Sequence, residues 1–435
     1  MLFAFLLILI VLYLGIILSP HKFFQYVSAV AAPIVRLYIK RRIHKGLEDG
    51  NRQKERFGFP SQNRPNGKLV WIHAVSVGEV LSVIPFILEF KKIKKDVNIL
   101  LTTTTLTSAK LIGKRLGDSV IHQFMPFDVF KWVRRFVKYW KPDMAFFVEA
   151  ELWPNILYYL HEKDIPVYLL NARISNKSLK RFYLAKKFLK INLFKLFKKV
   201  YVPSNEMLIH IGALGGKDVV VIPNLKTMSE KLPVNTDTVK KLSKKIKGRK
   251  AWMAVSAHSG EEEIILEVHK KLKKIHPNIL TVIAIRHPAR ADEVSQICDS
   301  FGLSWTRHTI SFPTSATINE DVYILDEIGN LGGFFEVIDA VLVCGSLIPG
   351  IGGHNILEPL RFACNVATGE YIENFRDIYQ YFKDYCGKVK NPDDIYNFVA
   401  ESLESYKRDT EKIKSIDSTG KWIDVIKETT LAARF

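Results

Sequence analysis

From Lys68 onward the chain alternates between short unbroken apolar runs and longer stretches with helical periodicity. LVWIHAV, MAFFVEA, PVYLLNA, VYVPS and VVVIPN are runs of the kind found in parallel strands buried on both faces. Between them, LSVIPFILEFKKI after SVGEV, a segment from Thr107 after VNILLTTTT, and Val129 to Trp140 read as helices. Repeated units of this type predict a doubly wound parallel sheet. The stretch from Thr227 to Arg249, rich in lysine and poor in long apolar runs, interrupts the pattern and is the expected domain boundary. The pattern resumes with AWMAVSA, ILTVIAI, VYILD and AVLVCGS. Ser259 to Glu262 has the S-x-x-E spacing of a capping box ahead of IILEVHKKLKKI.

The fold expected is therefore α/β, with two Rossmann-like domains in tandem. Facing across a cleft, they make the GT-B architecture; tandem nucleotide-binding domains of another enzyme type are the alternative. The domains expected are a membrane anchor over 1–20, an N-terminal domain over 21–226, a C-terminal domain over 227–405 and a C-terminal helical segment over 406–435. At 435 residues, 48% of them hydrophobic, the chain is long enough for two cores.

Residues Met1 to Leu18 carry no charge, and as a helix they reach about 27 Å, enough for a hydrocarbon core. No basic residue precedes them and no A-x-A site follows promptly, which disfavours a cleaved signal peptide. Basic residues lie on the C-terminal side, so the remainder is expected in the cytoplasm. Cys298, Cys344, Cys364 and Cys386 lack zinc-site spacing and read as reduced core residues. The net charge of +19 predicts a polyanionic partner: nucleic acid, an anionic lipid surface or a phosphorylated substrate. One basic cluster, from Lys22 through Arg36, Lys40, Arg41 and Arg42 to Arg56, follows the apolar segment directly. A second, Lys177 to Lys199, interleaves with Phe182, Leu184, Phe188, Phe194 and Phe197, as in a basic amphipathic helix on a bilayer. A solvated helix face over a core stripe fits that second run equally.

Glu79, in S-V-G-E at the end of the first strand, is a candidate general base, or else a first-turn glutamate complementing a helix dipole. Glu149 and Glu151 leave a buried strand together, which is costly unless they are paired or used; Arg173 in Asn-Ala-Arg is a candidate partner. Lys226, in Pro-Asn-Leu-Lys at the end of the N-terminal domain, suits a phosphate or a developing negative charge. Arg286-His287-Pro288 follows a strand directly and suits a nucleotide phosphate. Gly329-Asn-Leu-Gly-Gly333 opens a helix whose amides suit an anion, and Gly345-Ser346 with Gly350-Ile-Gly-Gly353-His354-Asn355 forms a glycine-rich loop whose amides suit a phosphate, with the positive end of the following helix added. Glu358, just beyond, is placed to accept two hydroxyl donors of a ribose. No D-x-D, H-E-x-x-H or Walker loop occurs, which argues against a carboxylate-held metal and an ATPase.

WIHAVSVGE, TTTTLTSAK, VEAELWPN, NARIS, IRHPAR and GGHNILEP together resemble the bacterial 3-deoxy-D-manno-octulosonic acid (Kdo) transferases, from the apolar segment to ENFRDI. The resemblance implies an inverting, metal-independent GT-B transferase without a cofactor, moving Kdo from CMP-Kdo to lipid IVA in lipopolysaccharide synthesis. It implies Glu79 as general base and Glu149 and Lys226 as transition-state stabilisers. It implies CMP contacts from Arg286, His287, Ile328, Gly329, Asn330, Asn355, Ile356, Leu357 and Glu358. The partners implied are CMP-Kdo, lipid IVA and the anionic inner-membrane surface on its cytoplasmic side, with no nucleic acid. Another membrane-associated transferase using a nucleoside diphosphate sugar, or a non-catalytic basic scaffold, are the competing functions.

Overall fold

The computed structural model describes residues 19–228, 231–314, 317–409, 411 and 417–433. The segment expected to anchor the chain, residues 1–20, lies outside them except for its last two positions. Among the described residues no helix is long and apolar enough to cross a membrane.

The chain divides into two compact units, Met1–Ser229 with Ser418–Phe435, and Glu230–Asp417. The first holds a parallel sheet of β1 (Leu69–His73), β2 (Asn98–Thr103), β3 (Ile121–Phe124), β4 (Met144–Val148), β5 (Val167–Leu170), β6 (Lys199–Val202) and β7 (Val219–Val221). Its order is β3-β2-β1-β4-β5-β6-β7. β1 and β4 are buried along their whole length, as their unbroken apolar runs require. Alternate residues serve opposite faces. Leu69 and Trp71 enter one core with Phe136 and Phe147, while Val70 and Ile72 enter another with Phe86 and Phe146.

The second unit repeats the plan with β8 (Ala251–Ala257), β9 (Leu280–Ile285), β10 (Trp305–Arg307), β11 (Val322–Leu325), β12 (Ala340–Val343), β13 (Asn365–Thr368) and β14 (Cys386–Lys388). The order is β10-β11-β9-β8-β12-β13-β14, again parallel throughout. The first sheet reverses its order between β1 and β4 and the second between β8 and β12, with β10 lying outside β11 at the second sheet's edge.

Two expectations gain detail and one changes. The boundary stretch contains a helix, Thr236–Lys245, that belongs to the second unit. The basic run after Lys177 is not one helix. The helix Asn176–Leu189 stops where Lys190 turns left-handed (φ 53°), and Ile191, Leu193, Phe194 and Phe197 then enter the core. Tyr183, Leu184 and Phe188 stay exposed on that helix among its lysines. Finally, the C-terminal helix Thr419–Ala432 packs back on the first unit, where Trp422 meets Phe86 and Tyr201 edge-on or tilted at 6.1 Å.

Candidate functional site

In open parallel sheets the ligand crevice forms beyond the carboxyl ends of the strands at which the order reverses. In the first unit those ends carry His73 to Glu79 after β1 and Glu149 to Asn155 after β4. Ser76 and Glu79 form the capping box of the helix Val77–Ile93. Glu79 Oε2 accepts from the Val75 amide at 2.8 Å, and Oε1 from the Ser76 hydroxyl at 2.9 Å. The carboxyl is buried, and burial raises its pKa, with repulsion from Glu149 adding to the effect. The first-turn role is thus real, and it holds the carboxyl within electrostatic reach of the other two glutamates.

Glu149 occupies a left-handed conformation (φ 61°), held by its amide bonding the Leu170 carbonyl at 2.9 Å. A non-glycine residue there is strained by roughly 1–3 kcal/mol, and such strain gathers at functional sites. Burial pushes the Glu151 carboxyl up to about 7, and the charges of Glu79 and Glu149 push in the same direction. Three acidic groups therefore converge where the order of the first sheet reverses.

The Leu-Trp-Pro-Asn string is fixed by Asp128, which the sequence did not single out. Its carboxylate accepts from the amides of Asn155 and Ile156, both at 3.0 Å, at the start of the helix Pro154–Glu162. Burial raises Asp128 to about 6 against these hydrogen bonds. Asp128→Ala is expected to cost about 1–2 kcal/mol, the scale of a lost helix-start acceptor, read as a lower midpoint in chemical unfolding. An unchanged midpoint would remove Asp128 from this role.

Asn171, also left-handed (φ 54°), accepts from the Leu225 amide at 3.4 Å. Asn224 Oδ1 accepts from the Lys226 amide at 2.9 Å. The Asn-Ala-Arg segment thus supports the short turn Leu225–Met228 that presents half-buried Lys226.

In the second unit, Arg286 and His287 follow β9 and are exposed, and the Arg286 amide bonds the Ala257 carbonyl at 3.0 Å. Asn355 Nδ2 donates to Glu358 at 3.3 Å. Burial raises the Glu358 pKa, opposed by Asn355 and by the charges of Arg286 and Arg361, so Arg286 and Glu358 lie within electrostatic reach. The side chains of Ile356 and Leu357 are in the core, leaving only their backbone for a ligand. Ile328 and Gly329 are exposed, and Asn330 Nδ2 bonds Glu327 at 2.8 Å.

Two anion-binding expectations fail. The amides of Gly345, Ser346 and Leu347 are not open to a phosphate, because the fully buried Glu261 carboxylate accepts all three at 2.8–3.0 Å. It also accepts the His258 amide at 3.0 Å. No capping box forms at Ser259, and the helix begins at Glu262 with Glu261 freed for this task. The helix after the glycine loop is a single turn, Leu357–Leu360, too short to add a strong positive end. The glycines serve close packing instead. A Cβ on Gly345 (φ 70°) would lie 2.5 Å from the His354 ring, and one on Gly332 would lie 2.5 Å from the Pro233 carbonyl.

His258 and His354 were also missed. Their rings stack at 5.0 Å with Nε2 atoms 2.8 Å apart, a hydrogen bond between the two imidazoles, and His287 meets His258 edge-on. Burial and the neighbouring cations depress both imidazoles, His354 to about 4. Among the described residues no cluster of histidine, cysteine or carboxylate side chains could hold a metal ion.

Residues 51–229 match the family model described as 3-deoxy-D-manno-octulosonic-acid transferase (kdotransferase). The 3-deoxy-D-manno-octulosonic acid transferase of Rickettsia typhi is 35% identical over 341 residues, covering 78% of this chain and 72% of that one. The Haemophilus influenzae enzyme of the same name is 29% identical over 401 residues, 90% of this chain and 92% of that one. Among solved structures, UDP-GlcNAc 2-epimerase from Neisseria meningitidis shares the fold, with a TM-score of 0.56 and 14% identity over 84% of this chain and all (100%) of that one. Extended identity of this degree identifies the relationship: the chain belongs to the 3-deoxy-D-manno-octulosonic acid transferase family of glycosyltransferases.

Proposed function

We propose that the protein transfers Kdo from CMP-Kdo to lipid IVA with inversion and without a metal ion. The observation that carries this is the convergence of Glu79 and Glu149 at the strand ends where the first sheet reverses, close enough for the Glu149 charge to raise the Glu79 carboxyl. Glu79, buried enough for its pKa to rise, takes the proton of the acceptor hydroxyl as that oxygen attacks the anomeric carbon of Kdo. CMP leaves with the bonding electrons. Arg286 and His287 hold its phosphate, Glu358 and Asn355 its ribose, and the loop Ile328–Gly329–Asn330 its base. Glu149 and Lys226 stabilise charge that develops in the transition state. On this reading the two units are the halves of a GT-B enzyme.

The reading also places the chain at the cytoplasmic face of the inner membrane, anchored through residues 1–20. Support comes from the helix Pro20–His44, where Tyr26, Val30 and Ile34 are exposed beside Arg36, Lys40 and Arg41. An apolar stripe with flanking cations suits an anionic, acylated surface.

Full-length protein with lipid IVA and CMP-Kdo is expected to give product one or more Kdo units heavier by mass spectrometry, and to do so in EDTA. Turnover only with UDP- or GDP-sugars would replace this reading by the nucleoside diphosphate one. No turnover with any donor, with vesicle binding intact, would favour the scaffold.

A further inference from the structure

Glu79 and Glu149 leave a third carboxyl group, that of Glu151, without a task. His73, at the end of β1, is fully buried. Its Nδ1 lies 3.1 Å from the Thr102 carbonyl oxygen and 2.9 Å from Thr102 Oγ1. A carbonyl oxygen only accepts, so Nδ1 carries the ring proton and Nε2 is a bare lone pair. Burial holds the imidazole near a pKa of about 3, so it is neutral at physiological pH. Nε2 has no hydrogen-bond partner, and Glu151 Oε2 faces it at 3.8 Å. The buried Trp153 indole N–H is likewise without a completed hydrogen bond, and it lies close enough to Glu151 to favour a negative oxygen there.

One lone pair and one N–H thus border the same carboxyl. A neutral carboxylic acid matches both, offering its O–H to His73 and its carbonyl to Trp153. A carboxylate would set a negative oxygen against a lone pair, beside the charges of Glu79 and Glu149. The nearby cations do not reverse this. Arg56 is committed to Glu48 through Nε and Nη2 at 2.9–3.0 Å, and Arg42 bonds the same carboxylate at 3.1 Å. Glu151 also lines a cavity of about 430 Å³ with Tyr38, Val75, Thr104, Thr105 and Trp153, so the group is reachable by a saccharide.

We propose that Glu151 works as a neutral carboxylic acid, a positioning residue whose proton rests against His73 Nε2 and spares Glu79 a second negative neighbour. This rests on the reading of Glu79 as the base. Glu79 is then the carboxylate that ionises beside the acceptor hydroxyl, while Glu151, its O–H turned to His73, borders the cavity as a neutral group. A carboxyl titrating at about 7 loses this role as pH rises. The protonated form is nearly complete about one pH unit below that value, and well above it declines about tenfold per pH unit.

The test is the pH profile of kcat/KM for the full-length enzyme beside Glu151→Gln and Glu151→Ala. The wild type is expected to lose activity above about pH 7. Glu151→Gln, which stays neutral and can donate to His73, is expected to lack that alkaline fall and to be less impaired than Glu151→Ala. Activity that rises through neutrality in the wild type and vanishes in Glu151→Gln would show Glu151 working ionised. Identical profiles in wild type and Glu151→Gln would reduce it to a structural group. Either result overturns the proposal. An infrared difference spectrum, wild type minus Glu151→Gln at pH 6, should show the carbonyl stretch of a protonated acid. That band needs no turnover, so its absence overturns the proposal even if the substrates are other than those proposed.

Discussion

Glu79→Gln is expected to lower turnover by about 100-fold or more, the usual scale for a lost general base, while the fold survives. Glutamine is the informative substitution because Glu79 has two jobs. Its carboxylate closes the capping box by accepting the amides of Val75 and Ser76. Glutamine at the same helix position can still accept such an amide, so the start of the helix Val77–Ile93 is retained. It cannot take a proton from a hydroxyl. Alanine would lose both functions, adding roughly 1 kcal/mol of cap loss to any catalytic effect. Comparing turnover with thermal unfolding for Glu79→Gln therefore separates the two roles. Near-normal turnover in a stable variant would leave Glu79 as a helix cap and nothing more.

Glu261→Ala is expected to give the largest loss of stability. The Glu261 side chain has no solvent exposure and accepts four backbone amides, those of His258, Gly345, Ser346 and Leu347. Truncation leaves these donors facing a cavity. An unsatisfied buried donor costs about 1–3 kcal/mol. With water entering to relieve some of them, a total near 3–5 kcal/mol is the reasonable scale, a large share of a domain's usual 5–15 kcal/mol. Calorimetry should show the transition of the second unit moving down, and binding of CMP-Kdo should weaken with it, since the same carboxylate ties the end of β8 to the loop after β12. A second-unit transition within a degree or two of wild type would sink this assignment.

Which features could be read in advance follows from where they sit in the sheets. LVWIH, MAFFV and AVLV are central strands covered on both faces, so their sequences are unbroken apolar runs. Ile121–Phe124, Trp305–Arg307 and Cys386–Lys388, the edge strands β3, β10 and β14, passed unnoticed because they are short and partly polar, whereas the edge strand β7 was legible from its apolar run. β13, Asn365–Thr368, lies next to one edge and is equally short. The catalytic candidates were legible because ligands gather at the carboxyl ends of such strands. The groups that hold them in place were not. Glu261 meets amides more than eighty residues later in the chain, and Asp128 caps a helix from another strand-end loop. Glu261 was visible only as part of a false capping box, since S-x-x-E spacing describes neighbours along a helix and says nothing of a partner across the sheet.

The helix Thr419–Ala432 gives the first unit an unusual order of completion. That unit is made of two stretches of chain, and the whole of the second unit is written between them. Synthesis from the N-terminus normally lets the leading domain close first. Here Trp422, Val425 and Ile426, part of the apolar core around Phe86 and Phe146, leave the ribosome only after the second unit is finished. Until then the growing first unit holds an uncovered aromatic face, while the contiguous second unit is free to fold ahead of it. A premature stop just before Ser418 would thus spare the later-made unit and strand the earlier one without its last layer.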